Sequence, residues 1–501
     1  MSYMRTWSVH VKQNKPLYSY AEKLTALANN LSNSARFRQR QLLTASGKAP
    51  ALWTENEQDV VEELMEIFPE VFRNGLENKG MYLNAYGHLE KLMRTVENPD
   101  YFADGFPRQC SQQILKQAAR DMKSFVESLR AYQKSPESFT GKPQLPSYKR
   151  KGGHTTVLIT NQDCTIKAIR GKWYAALPLN KKELLPLGYP IRNARLKEVT
   201  ITPDNGRYRF DFKFEVQEEL PDLLPDSGRI CAIDFGVDNL MAVTNNCNLP
   251  CILYKGGAVK SVNQFYNKTI AKMVSEQMTA TGKKFIPTAE YYAVTNFRND
   301  KVNDYLHKCA KHLVSWCVEN RIDTMVLGVN PLWKQEVNLG HVNNQKFVQL
   351  PITKLRLILK YLCEWNGIRY VEQEESYTSK ASFLDTDPLP VYGKETETLV
   401  FSGKRRPTRY QGMYKKDGFR GLYTSGDGTV INSDLNGSAN ILRKAFPDAF
   451  HRGSMPDFQN VVVIKHPDME FVRENRQQQL AVFRSVSHAK QKRQNRKALV
   501  S

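Results

Sequence analysis

The sequence has few cysteines, and their spacing excludes the usual zinc sites. None of the eight cysteines is separated from another by two residues, the spacing with which most structural zinc sites begin. Cys247 and Cys251 could begin a metal site, but no second pair follows at zinc-finger spacing. Several other cysteines lie in apolar runs, where a free thiol behaves as a small hydrophobic side chain. We therefore expect a reduced, cytosolic protein without structural zinc.

The sequence also lacks long apolar runs. No stretch approaches the ~18 apolar residues of a membrane-spanning helix, and the first residues have no apolar core like that of a signal peptide. We therefore expect no association with a membrane.

Acidic residues are outnumbered by basic ones. The chain has 72 Lys and Arg against 51 Asp and Glu, which leaves a formal charge of +21. An excess this large indicates a polyanion as partner, bound with an affinity that falls steeply as salt rises. The alternative is a solvated basic surface without such a partner. At ~150 residues per domain, the 501 residues are enough for roughly three domains.

The first half of the sequence predicts a helical lobe inserted into a small β-domain. Residues 17–135 carry helical patterns, whereas residues 155–216 carry short strand-like runs that follow a segment rich in Pro, Gly and Lys. Residues 6–11 also alternate like a strand but have no sheet of their own. The simplest arrangement pairs this first strand with the later ones.

The second half is organised around residues 229–243. A nearly continuous apolar run ends at Asp234, and Gly236 separates it from a second apolar run. This pattern indicates a central strand joined to its neighbour by a tight hairpin. Burying an isolated ionised carboxylate is costly, so Asp234 is expected to be paired or to hold a metal. A salt-bridged or turn-capping aspartate is the alternative.

The order of elements after residue 229 is typical of an RNase H-like nuclease core. Three hairpin-linked strands precede helix, strand, helix, strand and helix; Asp234 ends the first strand and Asp434 opens the last helix. Such a fold gathers acids around divalent cations that promote phosphodiester hydrolysis, and carboxylate oxygens suit Mg²⁺. For Asp434 alone, an ordinary helix N-cap acid is the alternative.

The predicted fold class is α/β and α+β multidomain, with an RNase H-like (RuvC-type) nuclease domain. The predicted parts are a β-rich wedge-like domain, a helical recognition lobe, the nuclease domain, a loop-rich basic insertion within it and a basic C-terminal tail, at residues 1–16 with 136–222, 17–135, 223–450, 381–430 and 451–501 respectively.

Three segments, residues 232–240, 373–380 and 432–441, closely resemble the RuvC-like motifs of the TnpB (OrfB) family. This family comprises transposon-encoded RNA-guided nucleases and is related to the compact type V CRISPR effectors. Residues 143–149 and 6–40 resemble the N-terminal half of the same family. The resemblance covers most of residues 1–450, and it is strong after residue 229.

The resemblance implies an RNA-guided DNA endonuclease with guide RNA and target double-stranded DNA as partners. It implies Mg²⁺ (or Mn²⁺) as cofactor, with Asp234 and Asp434 as the first and third metal-binding acids. It also implies a prokaryotic, cytoplasmic and nucleoid-associated protein, with a monomer favoured. The basic residues that we expect to contact nucleic acid are Arg36, Arg38, Arg40, Lys149, Lys380, Lys404, Arg405 and Arg406.

The sequence departs from the family pattern in two places. Gly328 stands where the middle-strand glutamate is expected, and no cysteine follows Tyr377, so the zinc ribbon of the family is not expected. Two acids alone would bind metal poorly. Glu375, or less favourably Glu374, is therefore predicted to supply the missing carboxylate, with Glu336 as runner-up. The alternative is a solvated acidic pair at a strand end.

Two rival functions remain at this point. Gly328 suggests a nuclease-dead, RNA-guided DNA-binding repressor, although the retention of Asp234 and Asp434 argues against it. A DDE-type transposase would share the fold and the metals. The sequence leaves open whether a guide RNA would come from a transposon end or a CRISPR array, and which motif beside the target is read.

Overall fold

The computed structural model describes residues 2–69, 82–330, 350–393, 399–405, 421–450 and 454–474. The chain forms two compact units, residues 1–219 and 220–501. Both units combine helices with sheets, so the fold is a mixed α/β, multidomain one. No helix in the described part of the chain has the length and apolar character needed to cross a membrane.

The first unit contains two antiparallel sheets. Its described strands are β1 (Tyr3–Val11), β2 (Val157–Thr160), β3 (Thr165–Ile169), β4 (Lys172–Leu177), β5 (Asn180–Gly188), β6 (Ala194–Asp204) and β7 (Arg207–Val216). The larger sheet has the order β1-β7-β6-β2, and the smaller one the order β3-β4-β5. β1 pairs with β7 from Tyr3 opposite Val216 to Val11 opposite Tyr208. The predicted pairing of the first strand with the later ones is confirmed.

Four described helices of the first unit lie between β1 and β2 in the chain. They are α1 (Leu17–Ala45), α2 (Glu55–Ile67), α3 (Tyr86–Thr95) and α4 (Arg108–Lys134). Leu24, Leu31 and Leu42 of α1 are at most 3% exposed and lie on one helical face. α2 begins with a capping box, in which the side chain of Thr54 and that of Glu57 bond each other's backbone N–H.

The second unit is built on a six-stranded mixed sheet. Its described elements are β8 (Ile230–Phe235), β9 (Asn239–Asn245), β10 (Pro250–Lys255), α5 (Gly257–Thr281), α6 (Ala289–Glu319), β11 (Thr324–Val329), α7 (Ile352–Glu364), β12 (Arg369–Glu374), β13 (Lys404–Arg405), β14 (Leu422–Thr424), β15 (Val430–Asn432), α8 (Ser433–Ala445) and β16 (Asp457–Ile464). The strand order of the sheet is β12-β11-β8-β9-β10-β16. β8 and β9 form the predicted antiparallel hairpin.

The central strands bring their carboxyl ends to one edge of the sheet. β8, β11 and β12 are parallel, with Leu327 opposite Ile233 and Val329 opposite Glu374. α6 and α7 cover one face of this sheet. α8 covers the other face, where Ile441 packs against strand residues such as Ala232 and Val326. The acids that end these strands therefore meet the beginning of α8.

The strand β16 corrects the predicted C-terminal tail. The sequence predicts a basic tail over residues 451–501, but residues 457–464 form an edge strand that pairs in parallel with β10. The run Val461, Val462, Val463 is typical of a strand. The prediction of a tail instead followed the strongly basic residues that come after this run. Residues 475–501 lie outside the described residues.

Candidate functional site

Asp234 lies near the end of β8, beneath α8. Although the residue is partly exposed, its carboxylate is enclosed by protein atoms. A Cβ atom added at Gly437 of α8 would lie 2.6 Å from Asp234 Oδ2. The helix can approach this carboxylate so closely only because residue 437 has no side chain.

Asp434 is placed by the first turn of α8. The side chain of Asn432 caps the helix by accepting hydrogen bonds from the N–H groups of Asp434 and Leu435, at 3.0 and 3.2 Å. The Asp434 side chain is 18% exposed, and its carboxylate accepts from Asn239, from Arg405 and, at 3.3 Å, from the Oγ of the adjacent Ser433. Asn239 Nδ2 donates to Oδ2 at 2.8 Å, and Arg405 donates to Oδ1.

Glu375 directly follows β12, and its carboxylate lies over Gly328 of β11. A Cβ atom added at Gly328 would lie 2.9 Å from Glu375 Oε2 and 2.4 Å from Ile441 Cδ1. The space in which a side chain at residue 328 would begin is therefore occupied in part by the carboxylate of Glu375. This is the position at which the family pattern has a glutamate.

The electrostatics link Asp234 to the two other acids. The pKa of Asp234 is raised well above its ordinary value, first by burial and then by the neighbouring charges of Asp434 and Glu375. The pKa of Glu375 is raised to about 7, first by burial and then by Glu374. A cation at this edge would favour the ionised form of both groups.

The carboxylates of Asp234, Glu375 and Asp434 lie at the same edge of the sheet, but they do not surround a common point. In the described part of the chain, no three His, Cys, Asp or Glu side chains are gathered closely enough to hold a metal ion. Asp434 instead faces Asn239 and Arg405. The donor set of Asp234, Glu375 and Asp434 nevertheless has the chemistry that suits Mg²⁺ or Mn²⁺, because it consists of carboxylates whose mutual repulsion a cation would relieve.

The carboxylate of Glu374 has different neighbours from that of Glu375. Its carboxylate accepts from Lys444 Nζ at 2.7 Å and from the Ser376 N–H at 2.6 Å. Burial pushes the pKa of Glu374 upward, but these hydrogen bonds outweigh it, so the net direction is down. Glu374 is therefore held ionised in a structural ion pair, whereas Glu375 faces the other acids.

Two arginines of the predicted nucleic-acid-binding set on α1 pair with acids of the first unit, and their contact with nucleic acid stays a prediction. Arg36 is 4% exposed and pairs with Asp121 of α4. Arg38 donates twice to Glu63 of α2, at 2.9 and 3.0 Å. Both guanidinium groups hold helices of the first unit together, because the partner acids lie on helices that pack against α1.

Arg40 is also engaged within the first unit. It donates to the carbonyl oxygen of Pro146 at 3.0 Å and lies 5.2 Å from the ring centre of Tyr148. It therefore anchors the segment that leads to Lys149, and its contact with nucleic acid stays a prediction.

The other basic residues of the prediction have different surroundings. Lys149, Lys380 and Lys404 are exposed, so their contacts with nucleic acid stay a prediction. Arg405 is 39% exposed but pairs with Asp434, a position that sequence reasoning missed. Arg406 and Glu336 lie outside the described residues.

Carboxylates organise the region in which the family has its zinc ribbon. Asp387 is 6% exposed; it accepts from the Ser382 N–H at 2.7 Å and from Ser402 Oγ at 2.7 Å. Asp385 accepts from the Gly426 N–H at 2.7 Å. These bonds join three chain segments that are distant in sequence. They give the region a source of order that requires no cysteine.

Replacing Asp387 by Ala is therefore expected to destabilise this unit, with no zinc involved. Each buried donor left without a partner costs roughly 1–3 kcal/mol, so we expect the melting temperature to fall by about 5–10 °C. Glu276→Ala is the control, because Glu276 is an exposed acid of the same unit whose surface pair with Lys272 contributes little to stability. Elemental analysis of the parental protein is expected to find no stoichiometric zinc. One tightly held zinc per chain would contradict this account of the region.

Comparison with known proteins confirms the resemblance to the TnpB (OrfB) family. Residues 212–331 match the family OrfB_IS605, described as a probable transposase. No curated protein matches the chain.

Among solved structures, the chain is similar to a Cas12f1–sgRNA–target DNA complex, at 10% identity and a TM-score of 0.41, over 88% of this chain and 98% of that one. It is also similar to the mini-RNA-guided endonuclease CRISPR-Cas_phi3, at 7% identity and a TM-score of 0.41, over 89% and 92% of the two chains.

Proposed function

We propose that the chain is an RNA-guided DNA endonuclease whose second unit contains an RNase H-like (RuvC-type) nuclease core. The observation that carries this proposal is the arrangement of three carboxylates at one sheet edge. Asp234 comes from β8, Glu375 from the end of β12, and Asp434 from the first turn of α8. The family match over residues 212–331 supports it, as does the charge of +21.

Asp234, Glu375 and Asp434 are the residues that would hold divalent cations. When bound, Mg²⁺ or Mn²⁺ would activate a water molecule and stabilise the leaving oxygen in phosphodiester hydrolysis. Asp234 and Glu375 would have to be ionised for this role, since only the carboxylate is a good ligand. The Asn239 amide holds Asp434 Oδ2, while Arg405 brings a positive charge to the same edge.

Base pairing with a guide RNA would supply the sequence specificity. In such enzymes the protein contacts the backbone and shape of the heteroduplex and reads a short motif beside the target. The exposed Lys149, Lys380 and Lys404 are candidates for backbone contacts.

The function is tested by purifying the chain from cells, sequencing any RNA that accompanies it and offering matching DNA. We expect a structured RNA, and cleavage of DNA that requires Mg²⁺ or Mn²⁺. Asp234→Ala is expected to abolish cleavage while RNA and DNA binding survive. Asp226→Ala is the control, because Asp226 is an exposed acid of the same unit that pairs with Arg369. Cleavage that persists in Asp234→Ala would place the active site elsewhere.

The rate of cleavage is expected to rise with pH through neutrality. The pKa of Glu375 is raised to about 7, so the group is protonated below that pH and ionised above it. Below its pKa, the ionised fraction changes about tenfold per pH unit. Protons and cations compete for the same oxygens, so the Mg²⁺ concentration for half-maximal rate should fall as pH rises.

Single-turnover rates at several Mg²⁺ concentrations, measured between about pH 6 and 8.5, check this dependence on pH. A Mg²⁺ requirement that is independent of pH would contradict the assignment of Glu375 as a ligand.

A transposase is the second candidate, because the matched family is described as a probable transposase. The two functions differ in their products and in their need for RNA. Joining of DNA strands by protein freed of RNA would favour the transposase. Cleavage that depends on a matching RNA would favour the nuclease.

A further inference from the structure

Two polar side chains form a chain of hydrogen bonds that ends on Asp434. Lys255, at the end of β10, and Asn239, at the start of β9, are cross-strand neighbours. Lys255 Nζ donates to Asn239 Oδ1 at 2.7 Å, and Asn239 Nδ2 donates to Asp434 Oδ2 at 2.8 Å. Asn239 is 4% exposed. The hydrogen bond from Asn239 to Asp434 joins two residues that are 195 positions apart in the sequence.

The chemistry of lysine fixes the direction of this chain. An ammonium group can only donate, so it has to meet the oxygen of the Asn239 amide. The NH₂ group of the same amide then faces Asp434. A flipped amide would instead place its oxygen against the carboxylate and its NH₂ group against the ammonium, and both contacts would be repulsive. Lys255 therefore specifies which end of Asn239 faces the acid.

The backbone around this pair is also tightly placed. The Gly256 N–H donates to the carbonyl oxygen of Asp238 at 2.9 Å. A Cβ atom added at Gly256 would lie 2.3 Å from the carbonyl oxygen of Val237. This close approach joins the turn before β9 to the end of β10, so that Asn239 and Lys255 keep a fixed separation.

We propose that Asn239 is a positioning residue for Asp434 and that Lys255 acts through it by fixing the amide orientation. The inference rests on the proposed nuclease function. On Asp434, the buried Asn239 donates to Oδ2, whereas the partly exposed Arg405 and the adjacent Ser433 donate to Oδ1. When Arg405 turns to a phosphate or a cation arrives, the Asn239 bond keeps the carboxylate aimed at the sheet edge. Outer partners of metal ligands typically contribute 10–100-fold to metal affinity or activity.

The test uses the RNA-bound protein and two readouts. Mn²⁺ binding is measured by electron paramagnetic resonance without DNA, and the Mg²⁺ dependence of cleavage is measured with DNA. Asn239→Leu and Lys255→Met are expected to weaken Mn²⁺ binding by about 10–100-fold and to raise the Mg²⁺ requirement equally. RNA and DNA binding should not change. Lys255→Arg keeps a donor-only group and is expected to remain within about threefold of the parental protein.

Lys272→Met is the control, because Lys272 is an exposed lysine of the same unit that pairs with Glu276 one turn further along α5. It is expected to leave both readouts unchanged. Parental Mn²⁺ affinity in both Asn239→Leu and Lys255→Met would overturn the proposal. If Asn239→Leu does not fold, Lys255→Met and Lys255→Arg decide alone: equal Mn²⁺ affinities in these two variants would also overturn it.

Failure of the proposed endonuclease function would give a different result from failure of the positioning proposal. A parental protein that binds Mn²⁺ but cuts no DNA would contradict the endonuclease, while the Mn²⁺ affinities of the variants would still test the positioning of Asp434. A parental protein that binds no Mn²⁺ would overturn both proposals.

Discussion

Glu375→Gln is expected to slow DNA cleavage by on the order of 10³-fold or more, the scale on which loss of one catalytic group slows an enzyme. Glu374→Gln should remain largely active. The reason is that the two neighbouring acids face different partners. The Glu375 carboxylate lies over Gly328 at the sheet edge, and its charge contributes to the raised pKa of Asp234. The carboxylate of Glu374 instead pairs with Lys444.

A glutamine at residue 375 keeps the size of the side chain but removes the charge that a cation requires. At residue 374, the amide oxygen of glutamine can still accept from Lys444 Nζ, which also donates to the carbonyl oxygens of Ser376 and Pro390. We therefore expect Glu374→Gln to lower the melting temperature by only a few degrees.

Single-turnover cleavage and binding of the RNA and DNA are measured for both glutamine variants. Retained binding in Glu375→Gln separates a catalytic loss from a folding defect. If both variants cut at the parental rate, the missing acid has to come from another residue, and Glu336 becomes the next position to test. A parental protein that binds matching DNA but never cuts it would instead favour the repressor.

Local pattern was sufficient to find two of the three acids. Asp234 follows an apolar strand and Asp434 follows capping residues at a helix start, and both signals lie within a few residues. Strand alternation predicts that only one of Glu374 and Glu375 faces the other acids, but it does not say which one, and it requires the strand to continue. β12 ends at Glu374, so Glu375 lies where alternation no longer applies, and only the turn that follows sets its direction.

Contacts between distant residues are the part of the site and its surroundings that the sequence could not predict. In the sequence, Arg36 and Arg38 have the pattern of nucleic-acid ligands. In the fold, helix packing brings Asp121 and Glu63 against them from positions 85 and 25 residues away in the sequence. The contact between Asn239 and Asp434 could not be predicted either, because the sequence around each residue gives no indication of the other. Charge and amphipathicity report which groups a segment carries, whereas the partners follow from the tertiary fold.

Gly328→Ala is expected to reduce cleavage by about 10²-fold or more, the loss that a misplacement of roughly 1 Å can cause. The added methyl group would lie 2.4 Å from Ile441 Cδ1 and 2.9 Å from Glu375 Oε2, so both neighbours have to move. Ile441 is fully buried in the interface between α8 and the sheet, which leaves Glu375 as the group with more freedom to yield. Overpacking of this kind costs about 1–3 kcal/mol, so the fold should survive while the carboxylate is displaced.

Gly257→Ala is the control for the added methyl group, since a Cβ atom at Gly257 has no neighbour within 4 Å. It should leave cleavage unchanged.

A double variant that returns a carboxylate to the neighbouring strand β11 tests the same geometry. Gly328→Glu combined with Glu375→Ala removes one clash and returns an acid to β11, so it should cleave faster than Glu375→Ala alone. Parental cleavage in Gly328→Ala would show that Glu375 does not act from its place over Gly328, because a carboxylate seated there cannot keep its position beside the new methyl group.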